Sequence, residues 1–272
     1  MPPIALPDLP PDAPVADWLP SVLTAAAAKL QANVGHDDPE AVHDQRVGTR
    51  RLRSHLRTFE RLLDEAWAEE LRSELAWLAD EIGEVRDLDV LLEWLGDRST
   101  PRRPELEHQR AAASTALRAT YRSDRAERLL ASVADAVEAP AFAPGLATWQ
   151  PAVNVAVPLV GRTWRRLRKK VQALPADPAD GQLHRVRIRA KRCRYGAEAV
   201  EPLVGGAAAR SAKALAKLQD VLGEHHDTVV AEVVLHDDPA LVAALRQERQ
   251  ILRSQWPTAW TAAEDCLQEW LG

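Results

Sequence analysis

The 272-residue chain holds 35 Lys and Arg against 40 Asp and Glu, a formal net charge of −5, with 46% hydrophobic residues, 12 glycines and 2 cysteines. That supply of apolar side chains suffices for one large domain or two packed halves, and the acidic balance excludes a protein that is basic all over. Cys193 and Cys266 are too far apart to form a metal-spaced pair or a disulfide framework, and no run of about 18 apolar residues offers a membrane span.

Met1 to Pro20 contains seven prolines and lacks a basic stretch followed by an apolar one. It reads as an extended tail and not as a secretion signal, with residues 1–14 forming a Pro-rich flexible tail and the cytoplasm as the expected location. Asp37, Asp38 and Pro39 then announce a helix start, with a carboxylate at the cap and proline in the first turn. A long helix runs from there to about Asp64, followed by helices over Trp67–Ile82, Arg86–Gly96, Arg103–Thr120 and Asp124–Glu138. The stretch from Ala139 to Pro151 holds three prolines and a glycine, and marks the boundary of two halves. Helices resume over Val153–Leu174, Asp180–Leu203, Ala207–Leu222, Asp227–Leu235, Pro239–Ser254 and Pro257–Leu271. The sequence therefore predicts an all-α protein: an N-terminal bundle at 15–140, a linker at 141–151 and a C-terminal bundle at 152–272.

The two halves repeat one design. With His43 set over His184, Arg46 meets Arg187, Val47 meets Ile188, Arg50 meets Lys191, Arg51 meets Arg192 and Arg53 meets Arg194. After a one-residue shift, Leu75, Leu78, Asp80, Ile82, Gly83, Glu84, Asp87 and Val90 meet Leu215, Leu218, Asp220, Leu222, Gly223, Glu224, Asp227 and Val230. Duplicated halves are expected to pack about a pseudo-two-fold axis.

Positive charge is concentrated in this repeat. Arg162 to Lys170 holds six basic residues and no acid, His184 to Arg194 holds six basic residues beside its histidine and no acid, and His43 to Arg57 holds five arginines against Asp44. The acids cluster elsewhere, as at Glu65, Glu69, Glu70 and Glu74. In the first repeat His43, Arg46, Arg50, Arg53 and Arg57 recur at steps of three and four, which confines them to about 80° of a helix surface. Leu52, Leu56, Phe59 and Leu63 lie opposite. His184, Arg187, Lys191 and Arg194 repeat the stripe, opposed by Val186, Cys193, Ala197 and Val200. Arg162, Arg165, Arg166 and Lys169 supply a third stripe, and Arg110 and Arg118 add a flank from the first half.

Like charges at these spacings repel by a few tenths of a kcal/mol per pair, and no interleaved acid at i±4 relieves them. Stripe residues follow one another every 4.5–6 Å or so along the axis, which suits an extended polyanion better than one compact phosphate. Arginine predominates, and its planar fork matches phosphoryl oxygens. Asp87 and Asp227 are expected in the first turn of the next helix, favoured by its dipole, with the orienting of a stripe arginine or histidine as the alternative role.

The segments V-H-D-Q-R-V-G-T-R-R-L-R and L-H-R-V-R-I-R-A-K-R-C-R-Y, followed by L-A-D-E-I-G-E-V-R-D-L-D-V and L-Q-D-V-L-G-E-H-H-D-T-V-V, resemble the paired signatures of the conserved histidine α-helical domain (CHAD) family. The resemblance covers about Val15 to Leu271. It implies two four-helix bundles in pseudo-two-fold relation, with basic helices lining a groove or pore that binds inorganic polyphosphate, and association with polyphosphate granules. The contacts it implies are His43, Arg46, Arg50, Arg53, Arg57, His184, Arg187, Lys191 and Arg194, with the repeat-matched Arg51 and Arg192 added to the set. Some relatives carry an N-terminal triphosphate-tunnel hydrolase domain, an activity not carried over to this chain. The departures from the repeat include His226 in the place of Arg86 and Gly48 facing Arg189.

No cofactor, metal or catalytic residue is expected. A di-metal bundle needs two Glu-x-x-His pairs, and only Glu40 and His43 have that spacing in a long helix, beside arginines that repel a cation. The expected protein is a non-catalytic polyphosphate binder, for want of a phosphate-cradling glycine loop or a nucleophile paired with a base. The alternatives are single-stranded nucleic acid or general polyanion binding, which the scarcity of aromatics in the stripes disfavours, and a scaffold tethering a partner to polyphosphate.

Overall fold

The computed structural model describes residues 9–98 and 100–272, so most of the Pro-rich tail expected at 1–14 lies outside the described residues. Every regular element among them is helical: α1 (Val15–Ala32), α2 (Pro39–Thr58), α3 (Glu65–Leu95), α4 (Arg103–Tyr121), α5 (Asp124–Glu138), α6 (Val153–Gln172), α7 (Asp180–Val204), α8 (Gly206–Val234) and α9 (Pro239–Leu271), with a short 3-10 turn at Glu60–Leu62. The chain divides into two compact units, one over Ala13–Pro151 and the other over Ala152–Gly272.

The helix starts follow local chemistry. Asp38 caps α2 by accepting the amide of Ala41 at 3.0 Å, with Pro39 in the first position where its missing N–H costs nothing. Asp64 caps α3 through Trp67, Ser123 caps α5 through Ala126, and Asp238 caps α9 through Leu241, again with proline following. Gly96 ends α3 and Gly205 separates α7 from α8, both at positive φ, where a side chain is disfavoured.

The structure has fewer and longer helices than the sequence predicts. The expected helices at 67–82 and 86–96 are one helix, α3; those at 207–222 and 227–235 are α8; those at 239–254 and 257–271 are α9, with Pro257 inside it. Gly83 and Gly223, which read as breaks, are buried in helix interiors because an arginine from the neighbouring helix lies against each. A β-carbon on Gly83 would stand 2.6 Å from an Arg46 terminal nitrogen, and one on Gly223 would lie 3.6 Å from the Arg187 guanidinium. Asp87 and Asp227 therefore sit mid-helix, and the helix-start role expected for them does not hold.

Among the described residues the first unit has five helices, α1–α5, and the second has four, α6–α9. α1 is the element that the proline-rich sequence concealed. It begins directly after Pro14 and contains Pro20, yet buries Trp18, Leu19, Leu23 and Leu30, each worth about 1.5–3 kcal/mol of transfer free energy. Trp18 meets Phe59 edge to face at 4.9 Å. α1 and α2 approach through Gly48, where a β-carbon would lie 2.7 Å from the Leu30 amide nitrogen and 3.2 Å from the Ala26 carbonyl oxygen. Buried Gln45 fixes the end of α1 by donating to the carbonyls of Asn33 and His36 at 2.7 and 2.6 Å, and accepts the Tyr121 hydroxyl of α4 at 2.7 Å.

The segment expected as a linker at 141–151 is bonded into the first unit. Asp64 donates to the Ala141 carbonyl and Ala143 donates to that of Leu62, while Val15 and Ala16 donate to the carbonyls of Gln150 and Thr148. In the second unit Trp164 and Trp260 pack at 5.7 Å, with Leu183, Val186, Leu218 and Leu267 buried around them. Cys193 lies in the same core, and burial pushes its thiol up to about 12.

Two outcomes follow. Gly48→Ala puts a methyl group against backbone that cannot turn aside, and is expected to cost about 1–3 kcal/mol in denaturant unfolding. His55 is 4% exposed in the core, stacked on Phe59, and burial and then Arg51 push its pKa down to about 3. The unfolded histidine takes its proton near 6.5, so the unfolded state binds more protons below that pH and stability falls as pH drops. Unfolding curves of His55→Phe should therefore lose less stability between pH 7 and 5 than those of the unaltered protein.

Candidate anion-binding surface

On α2 the stripe divides by exposure. His43, Arg46, Arg50 and Arg53 are half-buried and Arg57 is exposed, whereas Arg51 is 2% exposed and points inward beside His55. Acids outside α2 stand beside the stripe. Arg46 pairs with Asp87 of α3 at 3.3 Å, burial lowers the proton affinity of Arg53 while the Asp80 charge of α3 opposes that, and Arg57 pairs with Glu60, in the turn after α2, at 3.1 Å. Asp87 thus takes the orienting role that was its alternative. The proton affinity of His43 is lowered, chiefly by burial and then by the Arg86 charge.

The flank expected from Arg110 and Arg118 is committed to internal bonds. Arg110 donates to Asp89 at 2.9 Å, to the Ser114 hydroxyl and to the Asp37 carbonyl, and Arg118 pairs with the Asp37 carboxylate. Asp89 is 7% exposed, so its pair with Arg110 is a structural tie between α3 and α4, and removing one partner would strand a buried charge.

On α7 the stripe opens with a histidine pair. His184 and His226 of α8 meet Nδ1 to Nδ1 at 3.1 Å, with ring centroids 4.0 Å apart. Both resist protonation: burial is the first cause for each, and the pKa of His226 falls to about 4. Arg187 follows, laid over Gly223, and then half-buried Lys191 and Arg192. Arg194 departs from the line; at 4% exposed it pairs with Glu198 at 2.7 Å inside the unit. Tyr195, at 1% exposed, packs in the core.

On α6, Arg165, Arg166 and Lys169 are exposed and Arg162 is half-exposed, and none of the four has a carboxylate partner among the described residues. The sequence reading left out Arg185 and Arg189 of α7, which also lack a carboxylate partner there. Both belong to the same acid-free run, so the signal was charge density in place of strict stripe spacing. It also left out His226, whose contact with His184 needs the register of α7 against α8. The run Glu224-His225-His226-Asp227 does not converge: His225 turns to Asp180 at 3.2 Å while His226 turns to His184. Among the described residues no three His, Cys, Asp or Glu side chains gather into a metal-holding group, and no helix is long and apolar enough to cross a membrane.

Several known proteins are similar to this chain. The chain is 33% identical over 218 residues to the uncharacterized protein Rv2226 of Mycobacterium tuberculosis strain H37Rv, and 32% identical to MT2285 of strain CDC 1551. In each case 72% of this chain is covered, and it spans 40% of the relative's length. Among solved structures, the crystal structure of the CHAD domain from the plant Ricinus communis matches with a TM-score of 0.68 at 29% identity, covering 98% of this chain and 95% of that one. PptA from Streptomyces chartreusis shares the fold at a TM-score of 0.66 and 23% identity, covering 94% of this chain and all of that one. The CHAD domain model matches residues 21–236, so this chain belongs to the CHAD domain family.

Proposed function

We propose that this protein binds inorganic polyphosphate without transforming it, along the partly exposed cations of α2 in the first unit and of α7 and α6 in the second. The observation that carries the reading is the row His43, Arg46, Arg50, Arg53, Arg57, held on one side of α2 by a buried opposite face. The fourteen steps of helix from His43 to Arg57 extend about 21 Å, too long for one phosphate and suited to a chain of them. Arg51, Arg194 and Arg110 drop out of the proposed contacts, since the first two are buried and the third holds buried Asp89, while Arg118, paired with Asp37 nearer the surface, stays. Arg185 and Arg189 enter it.

A purely binding role is supported by what the reactive groups are doing. The Cys193 thiol is buried and held protonated, and His225 is tied to Asp180. On this reading the protein acts in the cytoplasm at polyphosphate granules. Nucleic acid would satisfy the same charges, but it calls for exposed aromatic platforms among the cations, and Tyr195 is buried.

The experiment is binding of long polyphosphate and of single-stranded DNA at equal phosphate concentration across a salt series. Polyphosphate is expected to bind far more tightly at about 0.15 M salt, with affinity falling steeply as salt rises; equal affinities would make the surface a general anion binder. The double variant Arg50→Glu with Lys191→Glu should weaken polyphosphate binding by about a hundredfold or more, from two charge-assisted contacts of about 1.5 kcal/mol each. Arg122→Glu with Arg128→Glu makes the same change in net charge at exposed sites off the stripes, and should leave binding nearly intact. Circular dichroism of both variants checks that helicity is kept.

A further inference from the structure

We propose that His226 belongs to the anion-binding face and that the His184–His226 pair takes up one proton when a polyanion settles beside Arg187 and Lys191. This rests on the polyphosphate reading above and adds a regulation to the same site.

The sequence supplies the first reason. In the first unit the position matching His226 is Arg86, whose permanent charge reaches His43. In the second unit the partner of the stripe-opening histidine can titrate. One half therefore carries a fixed charge where the other carries a conditional one.

Geometry supplies the second. Two imidazoles joined Nδ1 to Nδ1 at 3.1 Å share a hydrogen bond in which one ring donates and the other accepts. A single added proton goes to Nε2 of the donating ring. It leaves the shared bond intact and adds one N–H, so that both Nε2 atoms, of which the accepting ring's already carried a proton, are donors for phosphoryl oxygens. A second proton would have to enter at the accepting Nδ1 and would break the contact. The pair is thus built to hold one extra proton.

The surroundings supply the third. Arg185, Arg187 and Lys191 of α7 act on His184; Arg187, Lys191 and His225 of α8 act on His226; all oppose protonation. From α9, Arg249 and Arg253 bear on His225, which Asp180 of α7 holds in place. α6 contributes no group to this set, and Glu224 and Asp227 are the flanking carboxylates of α8. Without a ligand the pair is neutral at pH 7. A polyanion on Arg187 and Lys191 reverses the sign of the local field, and the proton then comes from solvent.

The test uses the full chain and a long-chain polyphosphate, whose terminal groups are a negligible fraction of its charge. Calorimetric titrations in buffers of different ionisation enthalpy count the protons bound, and affinities are read from pH 7.5 to 5.5. Proton uptake approaching one per chain is expected, with affinity rising by up to about tenfold per pH unit as pH falls. His226→Arg should bind at pH 7.5 at least as tightly as the unaltered protein and lose most of the pH dependence. His226→Gln should also lose it, while binding more weakly at pH 5.5. Binding without proton uptake, or a His226→Arg variant that keeps the full slope, sinks the proposal and leaves polyphosphate binding standing. No binding at any pH overturns the polyphosphate reading and this inference with it.

Discussion

Much of each unit turns on one contact: a stripe arginine laid across a glycine of the neighbouring helix. Arg46 lies against Gly83, where a β-carbon would stand 2.6 Å from its terminal nitrogen, and Arg187 lies against Gly223, where a β-carbon would meet its guanidinium in ordinary contact at 3.6 Å. A glycine inside a helix costs about 1 kcal/mol relative to alanine. The guanidinium lies against the next helix, and in the first unit Asp87 can hold it. The side chain is thereby oriented before any ligand arrives. A long, mobile arginine that is already immobilised loses less entropy on binding, which favours affinity without adding a contact.

The same arrangement explains how a helix tolerates a line of like charges. Within α2 the arginines repel by a few tenths of a kcal/mol per pair. Relief comes from Asp80 and Asp87 of α3 and from Glu60 beyond the end of α2. These pairs are largely exposed, and pairs of that kind are worth about 1 kcal/mol at most. They are strong enough to hold a side chain in position and weak enough to yield it to a polyanion. The buried pairs Arg110–Asp89 and Arg194–Glu198 belong to the other regime, in which neither partner can be released without leaving a charge in the interior.

The helical class and the stripe on α2 could be read from the sequence because both rest on periodicity along one helix. Leu52, Leu56 and Phe59 fall on the buried side as their spacing requires. What could not be read depends on a second helix. Gly83 falls in an expected gap between helices until the arginine lying against it is known, and Asp87, which steadies Arg46, is 41 residues away in sequence. Arg194 keeps the stripe's spacing, yet α7 turns it into the core, because near its C-terminal end the helix is enclosed on nearly every side from Cys193 to Val200. α1 was hidden by its prolines: composition argued for a tail, whereas Gly48 and the apolar face of Trp18, Leu19 and Leu23 argue for packing only once the two helices are seen together.

The hydrogen bonds from Val15 and Ala16 to Gln150 and Thr148 bring the first unit's point of entry beside its point of exit. A segment whose ends meet is topologically closed. It can be copied, spliced into another protein or recut to start at a different loop without rerouting any helix. An architecture of this kind lends itself to gene duplication, because each added copy needs only one short stretch of chain to join what comes before and after it.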